Sequence, residues 1–384
     1  MEKRRILLFG STGSIGTQTL EVIFRHPQVF EVAGLAAGSD FQALAEQAAA
    51  TGAGYLGLAS PDAAGQLRNR LPDATVFAGP EGLVEMVGAV APDLVVGAIS
   101  GFAGLPGILA ALEAGVNVAL ANKEPLVAAG GLVMDTAHRS GAEVIPIDSE
   151  LSAILQCLQG ESRAAVTRIL LTASGGPFAG LAADELAGVT PEQALTHPNW
   201  KMGPKVTIDS ATLVNKGFEI FEVRWLFGVS FDQVQVVVHH QSVIHSLVEF
   251  CDTSVIAQLG RPDMRVPIQY ALSYPQRLPA PLTPLDLVAA GPLTFAEPDL
   301  DKFPCLRLVR QAGEAGGGYP VVLTGADQAA VELFLAGRIR FPDIPASIES
   351  ALEAYDGALA DDLSAIQDLN DWAYKHVCAI QDQA

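Results

Sequence analysis

A chain of 384 residues is too long for one ordinary core and predicts two or three domains, each burying its own apolar surface. Its 43 acidic residues against 23 basic ones give a formal charge of −20, which repels a phosphate backbone and argues against nucleic-acid binding. A phosphorylated small molecule would then need a locally cationic pocket, since screening over about 8 Å leaves local charges in control.

Apolar residues make up 49% and charged residues 17%, and the 37 Gly and 24 Pro are spread along the chain, so composition describes a globular protein without low-complexity blocks. The four cysteines, Cys157, Cys251, Cys305 and Cys378, show no paired spacing, which favours reduced thiols and a cytoplasmic setting over a disulfide framework or a zinc knuckle. No run reaches the ~20 apolar residues of a membrane span. The short basic start passes into a strand with no cleavable signal, so the mature chain is expected to begin at Met1.

The apolar run Ile6–Phe9 predicts a strand, the glycine-rich GSTGSIG a turn, and Thr17–Arg25 a helix with Leu20, Ile23 and Phe24 at helical spacing. Strand candidates at Val32–Ala36, Leu94–Ile99, Val116–Ala121 and Val144–Ile147 alternate with helical patterns at Phe41–Ala50 and Leu105–Ala114, as in a parallel α/β sheet. From about residue 149 the segments Ile169–Thr172, Val234–His239, Ser246–Phe250 and Val255–Leu259 point to an α+β domain. Prolines 275, 279, 281, 284, 292 and 298 favour an extended linker. Helical patterns at Leu306–Gly313, Ala326–Ala336, Ile344–Ala358 and Ala365–Cys378 then suggest a helical bundle. The expected architecture is an N-terminal Rossmann-like domain (1–148), a central α+β domain (149–273), a linker (274–300) and a C-terminal helical domain (301–384).

Gly10, Gly13 and Gly16 have the spacing that turns the backbone tightly and lets a pyrophosphate approach a helix N-terminus. A glycine turn that merely packs a helix on a sheet is the plain alternative, and the position at the first strand shifts the balance toward a dinucleotide. In the following Gly38-Ser39-Asp40, Asp40 is either a ribose ligand or the N-cap of the next helix, so the residues leave the choice of nicotinamide open.

Asp148 and Glu150 are carboxylates two apart after a strand, which could reach one hard cation; taken alone, the pair reads first as a solvated strand end with a helix cap. In TIDSATLVNKGFEIFE, Asp209 or Ser210 is placed to cap a helix starting near Ala211. Asn215, Glu219 and Glu222 share a face of it beside Lys216. Without context that face reads as a solvated one laced with ion pairs.

Six blocks in order, GSTGSIG, ALANKEPLVAAG, PIDSE, ASGGPF, HPNWKMGPKVTIDSATLVNKGFEIFE and QSVIHSLVEF, together resemble the 1-deoxy-D-xylulose 5-phosphate reductoisomerase family over essentially the whole chain. The resemblance implies a metal-dependent rearrangement and NADPH reduction of 1-deoxy-D-xylulose 5-phosphate to 2-C-methyl-D-erythritol 4-phosphate in isoprenoid precursor synthesis. Asp148, Glu150 and Glu219 look like its ligands for Mg²⁺ or Mn²⁺, with Co²⁺ a further candidate, and Glu222 like a nearby polar group. Ser174, Ser210, Asn215 and Lys216 resemble the substrate-phosphate site, while Ser149, Glu150 and Lys123 would meet the reacting oxygens, Lys123 and Glu150 being catalytic.

On the cofactor side the family likeness assigns Gly10, Thr12, Gly13, Ser14, Ile15, Gly38, Ser39, Asn122, Glu124 and Gly203. His197, Trp200 and Met202 fall in a stretch similar to the family's mobile flap (194–204), where Trp200 would cover the substrate and exclude water. His245 reads equally as an active-site residue or a buried structural histidine. Lys201 in place of a small residue and His240 in place of a proline depart from the pattern without touching a proposed ligand, and Ser39-Asp40 lacks a basic residue for the NADPH 2′-phosphate. A homodimer is implied by resemblance alone. An aspartate-semialdehyde-type dehydrogenase would need an activated cysteine. A homologue acting on another sugar phosphate is argued against by the intact flap and phosphate residues, and a silent dinucleotide sensor by the retained carboxylates and lysines.

Overall fold

Arg4–Phe9 (β1) buries Ile6, Leu7, Leu8 and Phe9 completely, as a strand covered on both faces requires. The computed structural model describes residues 2–197, 199–200, 202–280 and 282–381. After β1 come α1 (Ser14–Arg25), β2 (Phe30–Ala37), α2 (Phe41–Thr51), β3 (Tyr55–Leu58), α3 (Pro61–Arg70), β4 (Thr75–Ala78), α4 (Gly79–Val90) and β5 (Leu94–Gly97). Then follow α5 (Leu105–Glu113), β6 (Asn117–Leu120), α6 (Glu124–Ser140), β7 (Val144–Pro146) and α7 (Ser149–Cys157). The strands form one parallel sheet in the order β4-β3-β2-β1-β5-β6-β7. Strand order reverses between β1 and β5, the place where doubly wound sheets open a crevice at the strands' carboxyl ends.

The remaining elements are β8 (Val166–Ala173), α8 (Pro191–Ala194), α9 (Pro204–Thr212), α10 (Val214–Phe227), β9 (Val234–Val238), β10 (Ile244–Phe250), β11 (Val255–Leu259), α11 (Arg265–Ser273) and α12 (Leu287–Ala290). The chain continues through α13 (Cys305–Ala315), α14 (Tyr319–Leu335), α15 (Asp343–Ala354) and α16 (Leu363–Gln381). A second sheet runs β11-β10-β8-β9, antiparallel except where β8 meets β9.

Two compact units emerge, each from three stretches of sequence: Met1–Pro125, Val133–Ser152 and Asp263–Pro281 in the first, Leu126–Leu132, Ala153–Pro262 and Leu282–Ala384 in the second. In the first unit α11 is tied in by Arg4, whose guanidinium donates to Leu272 O at 2.7 Å, and by His26, whose Nε2 bonds Gln269 Oε1 at 3.0 Å. In the second, buried Ile169 and Leu171 of β8, Phe218 and Phe221 of α10 and Val309 of α13 contribute to the core. None of the described helices is long and apolar enough to cross a membrane.

The α/β reading, with a Rossmann-like N-terminal sheet and a helical C-terminal region, holds. Strands β3 and β4 were not foreseen: YLGL and TVFA are four-residue runs with little to separate them from helical flanks. The polar stretch after the flap also differs from expectation. A helix starts at Pro204, not near Ala211, so Asp209 and Ser210 lie within α9 and cap nothing. Leu213, at φ +64°, breaks it from α10. Leucine seldom adopts that left-handed conformation, and no local signal announces it.

In the helical region Gly325 of α14 lies where a Cβ would sit 2.3 Å from Asn370 O and 3.0 Å from Ala373 Cβ of α16. Gly325→Ala should therefore destabilise the protein by about 1–3 kcal/mol through overpacking. A urea unfolding curve superimposing on the parent's would show that the two helices are not so closely apposed.

Candidate active site

The glycine turn of the first unit is built by close backbone approach. Gly10, at φ +87°, lies where a Cβ would be 2.3 Å from Ala98 O beyond β5, and a Cβ on Gly16 would fall 2.2 Å from Gly10 O. Both Gly10 and Ser11 amides donate to Ala36 O of β2, at 2.8 and 2.9 Å, and Gln47 Nε2 of α2 donates to Ser11 O at 2.9 Å. Gly13 is the N-cap of α1 and makes no side-chain cap, while Gly13 and Ser14 are exposed and Thr12 and Ile15 half-buried. An exposed helix start with outward N–H groups, on a turn too tight for side chains, fits a pyrophosphate.

Gly38 and Ser39 are exposed just beyond β2. Asp40 is resolved as a cap: its Oδ1 accepts from Ala43 N at 2.9 Å, closing the start of α2. Asn122, Lys123 and Glu124, after β6, are all buried. Asn122 Nδ2 donates to Gly101 O at 2.5 Å, and Lys123 Nζ lies 2.6 Å from Asp148 Oδ2. Asp148 Oδ1 also accepts from Ser149 N at 2.9 Å, and Ser149 Oγ donates to Glu150 Oε2. Both carboxylates thus stand at the start of α7, where the helix dipole favours negative charge.

In the second unit the helix face expected to be solvated is buried: Lys216 is 4% exposed, Glu219 0% and Glu222 1%. Glu219 Oε1 accepts from Asn215 Nδ2 at 2.7 Å and Oε2 from Lys216 Nζ at 2.5 Å. A carboxylate has about four lone-pair sites, so these two bonds alone do not exhaust it. Ser174, after β8, has its Oγ 3.1 Å from His197 Nε2. His197 Nδ1 accepts from Asn199 N and Trp200 N at 3.2 and 3.0 Å, which leaves Nε2 as the protonated nitrogen that donates to Ser174. Gly176 brings the Ser174 loop onto α9, where a Cβ would lie 2.8 Å from Ser210 O. Gly203 is the N-cap of α9, and Met202 beside it is half-buried.

Trp200 packs on buried His245, their ring centroids 6.0 Å apart. Lys201 lies outside the described residues. His240, expected to touch no proposed ligand, does meet one of the proposed site residues: its Nδ1 donates to Ser174 O at 2.8 Å, and its own carbonyl accepts from Asn199 Nδ2 at 2.7 Å. Lys205, which bonds both Asp209 and Asp327 at 2.6 Å, was also missed. The four-residue spacing of Lys205 and Asp209 was visible in the sequence; the partnership with Asp327, 122 residues away, was not.

Three family models match: 1-deoxy-D-xylulose 5-phosphate reductoisomerase over residues 6–130, its C-terminal domain over 144–227, and the DXP reductoisomerase C-terminal domain over 259–376. The 1-deoxy-D-xylulose 5-phosphate reductoisomerase of Gloeobacter violaceus is 48% identical over 384 residues, covering 97% of this chain and 96% of the relative. The chain belongs to the 1-deoxy-D-xylulose 5-phosphate reductoisomerase family. The Geobacillus kaustophilus member is 50% identical over 95% of this chain and 96% of its own. The Zymomonas mobilis enzyme, solved with NADPH, superposes with a TM-score of 0.93 at 39% identity over 100% of both chains. A reductoisomerase solved with NADPH, fosmidomycin and magnesium gives 0.94 at 39% identity, covering 99% and 98%.

Membership in this reductoisomerase family makes the chain an NADP-dependent oxidoreductase. It also disposes of a cysteine-dependent dehydrogenase, and the two buried thiols agree: burial pushes Cys157 up to about 11, and Cys305 is raised well above the ordinary range. Because Asp40 is occupied as a cap, Asp40→Ala should lower stability by about 1 kcal/mol and leave the KM for NADPH within about twofold. A large rise in that KM with unchanged stability would restore the ribose-ligand reading.

Proposed function

We propose that the carboxylates, lysines and hydroxyls described above share out the family reaction, the rearrangement and NADPH reduction of 1-deoxy-D-xylulose 5-phosphate to 2-C-methyl-D-erythritol 4-phosphate. NADPH and a divalent metal are its cofactors, and the residues present fit both. The donor set Asp148, Glu150 and Glu219 offers hard oxygens suited to Mg²⁺ or Mn²⁺, with Co²⁺ as a further candidate. The exposed start of α1 suits the dinucleotide, with Gly10, Thr12, Gly13, Ser14 and Ile15 at the pyrophosphate. Gly38, Ser39, Asn122, Glu124 and Gly203 complete that proposed contact set. The donors on Glu219, from half-buried Asn215 and buried Lys216, are the observation that carries the metal reading, because they hold its carboxylate in place.

When bound, the metal supplies Lewis acidity at the substrate's ketone and hydroxyl oxygens, and NADPH supplies a hydride. Lys123 stabilises the negative charge that develops on oxygen, and its bond to Asp148 keeps the ammonium at hand. Ser149 orients Glu150 and meets a substrate oxygen. Ser174, Ser210, Asn215 and Lys216 receive the phosphate, with Lys216 as the local cation that a chain of charge −20 must provide. Binding energy from this remote dianion orients the reacting carbons. Trp200 covers the site, and His197 holds the Ser174 hydroxyl.

In this reading residues 1–148 serve NADPH and 149–273 serve metal and substrate, with 274–300 as linker and 301–384 as a helical support. The working form is a cytoplasmic homodimer. Exposed Val255, Ile256 and Leu259 on edge strand β11, with Val288 at 92% exposure and Phe295 in the linker, offer apolar surface for a second copy. Sedimentation equilibrium should give twice the chain mass of 40.1 kDa; a species of single-chain mass at micromolar concentration contradicts the dimer.

Glu150→Gln tests the metal assignment. The variant should remain folded, lose turnover and bind Mn²⁺ at least about tenfold more weakly by electron paramagnetic resonance titration. Parent-like Mn²⁺ affinity would remove Glu150 from the ligand set.

A further inference from the structure

The loop after β8 begins at Ser174 and turns at Gly175 and Gly176, whose φ values are +86° and +70°. It then presents the carbonyls of Phe178, Ala179 and Leu181 toward a single ammonium. Lys302 Nζ donates to all three: to Leu181 O, to Phe178 O at 2.8 Å and to Ala179 O at 3.0 Å. An ammonium has three donors, so all of them go to one turn.

The lysine is itself held. Its amide donates to Asp299 Oδ1 at 2.9 Å, and its Nζ lies 5.0 Å from the ring centroid of Phe303, which is buried. Buried Phe178 anchors the same loop by an edge contact with Phe341, centroids 5.2 Å apart. At the loop's start the Gly176 amide donates to Ser174 Oγ at 3.2 Å. The same glycine is where the loop backbone meets α9 at Ser210. Any shift of the turn therefore changes where the Ser174 hydroxyl stands relative to Ser210.

We infer that Lys302 is a positioning residue for the substrate phosphate, fixing the turn at Phe178–Leu181 so that the Ser174 and Ser210 hydroxyls keep one spacing. The inference rests on the reading that these two serines bind that phosphate. Lys302 touches no reacting atom; it acts through backbone carbonyls. A charge-assisted bond to a carbonyl is stronger than a neutral one, and three converging on one nitrogen make the turn rigid without a bound ligand. Preorganisation of this kind lowers the ordering that binding would otherwise require.

The full chain with Lys302→Met, Lys302→Arg or Ser174→Ala provides the test. For Lys302→Met the KM for 1-deoxy-D-xylulose 5-phosphate should rise about tenfold while the KM for NADPH stays within about twofold. Amides of residues 175–181 should exchange faster with deuterium, and Lys302→Arg, which keeps a cationic donor, should recover most of the affinity. An unchanged KM for the sugar phosphate, or exchange in 175–181 as slow as in the parent, overturns the inference. Should Lys302→Met not fold, Lys302→Gln is judged by the same two readouts. Ser174→Ala separates the two levels: an unchanged KM there refutes the phosphate-site reading itself, whatever the exchange of the loop.

Discussion

A carboxylate cannot be buried without compensation, and the site is organised around that constraint. Glu219 has no exposure, and moving a bare charge from water to such a place would cost several kcal/mol or force protonation. Asn215 and Lys216 on the same helix supply one donor to each oxygen. In the first unit Lys123 donates to one oxygen of half-buried Asp148 and the Ser149 amide to the other. Breaking such a pair leaves the partner charged and unmatched, so the lysines matter structurally before any substrate arrives. The same donors fix carboxylate direction, which a metal site needs along with its charge.

Glycine does the complementary work of bringing backbone close to backbone. Gly10 allows the first turn to meet the end of β5, and Gly16 lets α1 start against that turn. Gly176 plays the same part where the Ser174 loop meets α9. In each place a Cβ would sit under 3.0 Å from a main-chain atom, where no side-chain rotation relieves the clash. Anion-binding surfaces made from main-chain N–H groups and short hydroxyls depend on such approach, since longer side chains would hold the ligand away.

Much of this was legible in the sequence. GSTGSIG between an apolar run and an amphipathic stretch marked the turn correctly, because glycine spacing and hydrophobic period are both local. The burial of the Asn215 to Glu222 face was not legible, since an i, i+3, i+4 arrangement of charges looks the same in water and in a core. Nor was the break at Leu213, where tertiary contacts impose a left-handed residue on a side chain that is 3% exposed. Lys302, and the bonding role of His240, were invisible for another reason. Their partners are backbone carbonyls of Ser174 and the turn after it, and a carbonyl carries no residue identity in the sequence.

A site of this kind must consume NADPH in a metal-dependent reaction. The most direct measurement is the fall in absorbance at the nicotinamide band when purified protein receives 1-deoxy-D-xylulose 5-phosphate, with Mg²⁺ and then with excess chelator. Consumption that requires the sugar phosphate, stops with chelator and returns with Mn²⁺ is the predicted result. Consumption that persists unchanged in chelator, or none with either metal present, would contradict the assignment of these carboxylates and lysines to one reaction.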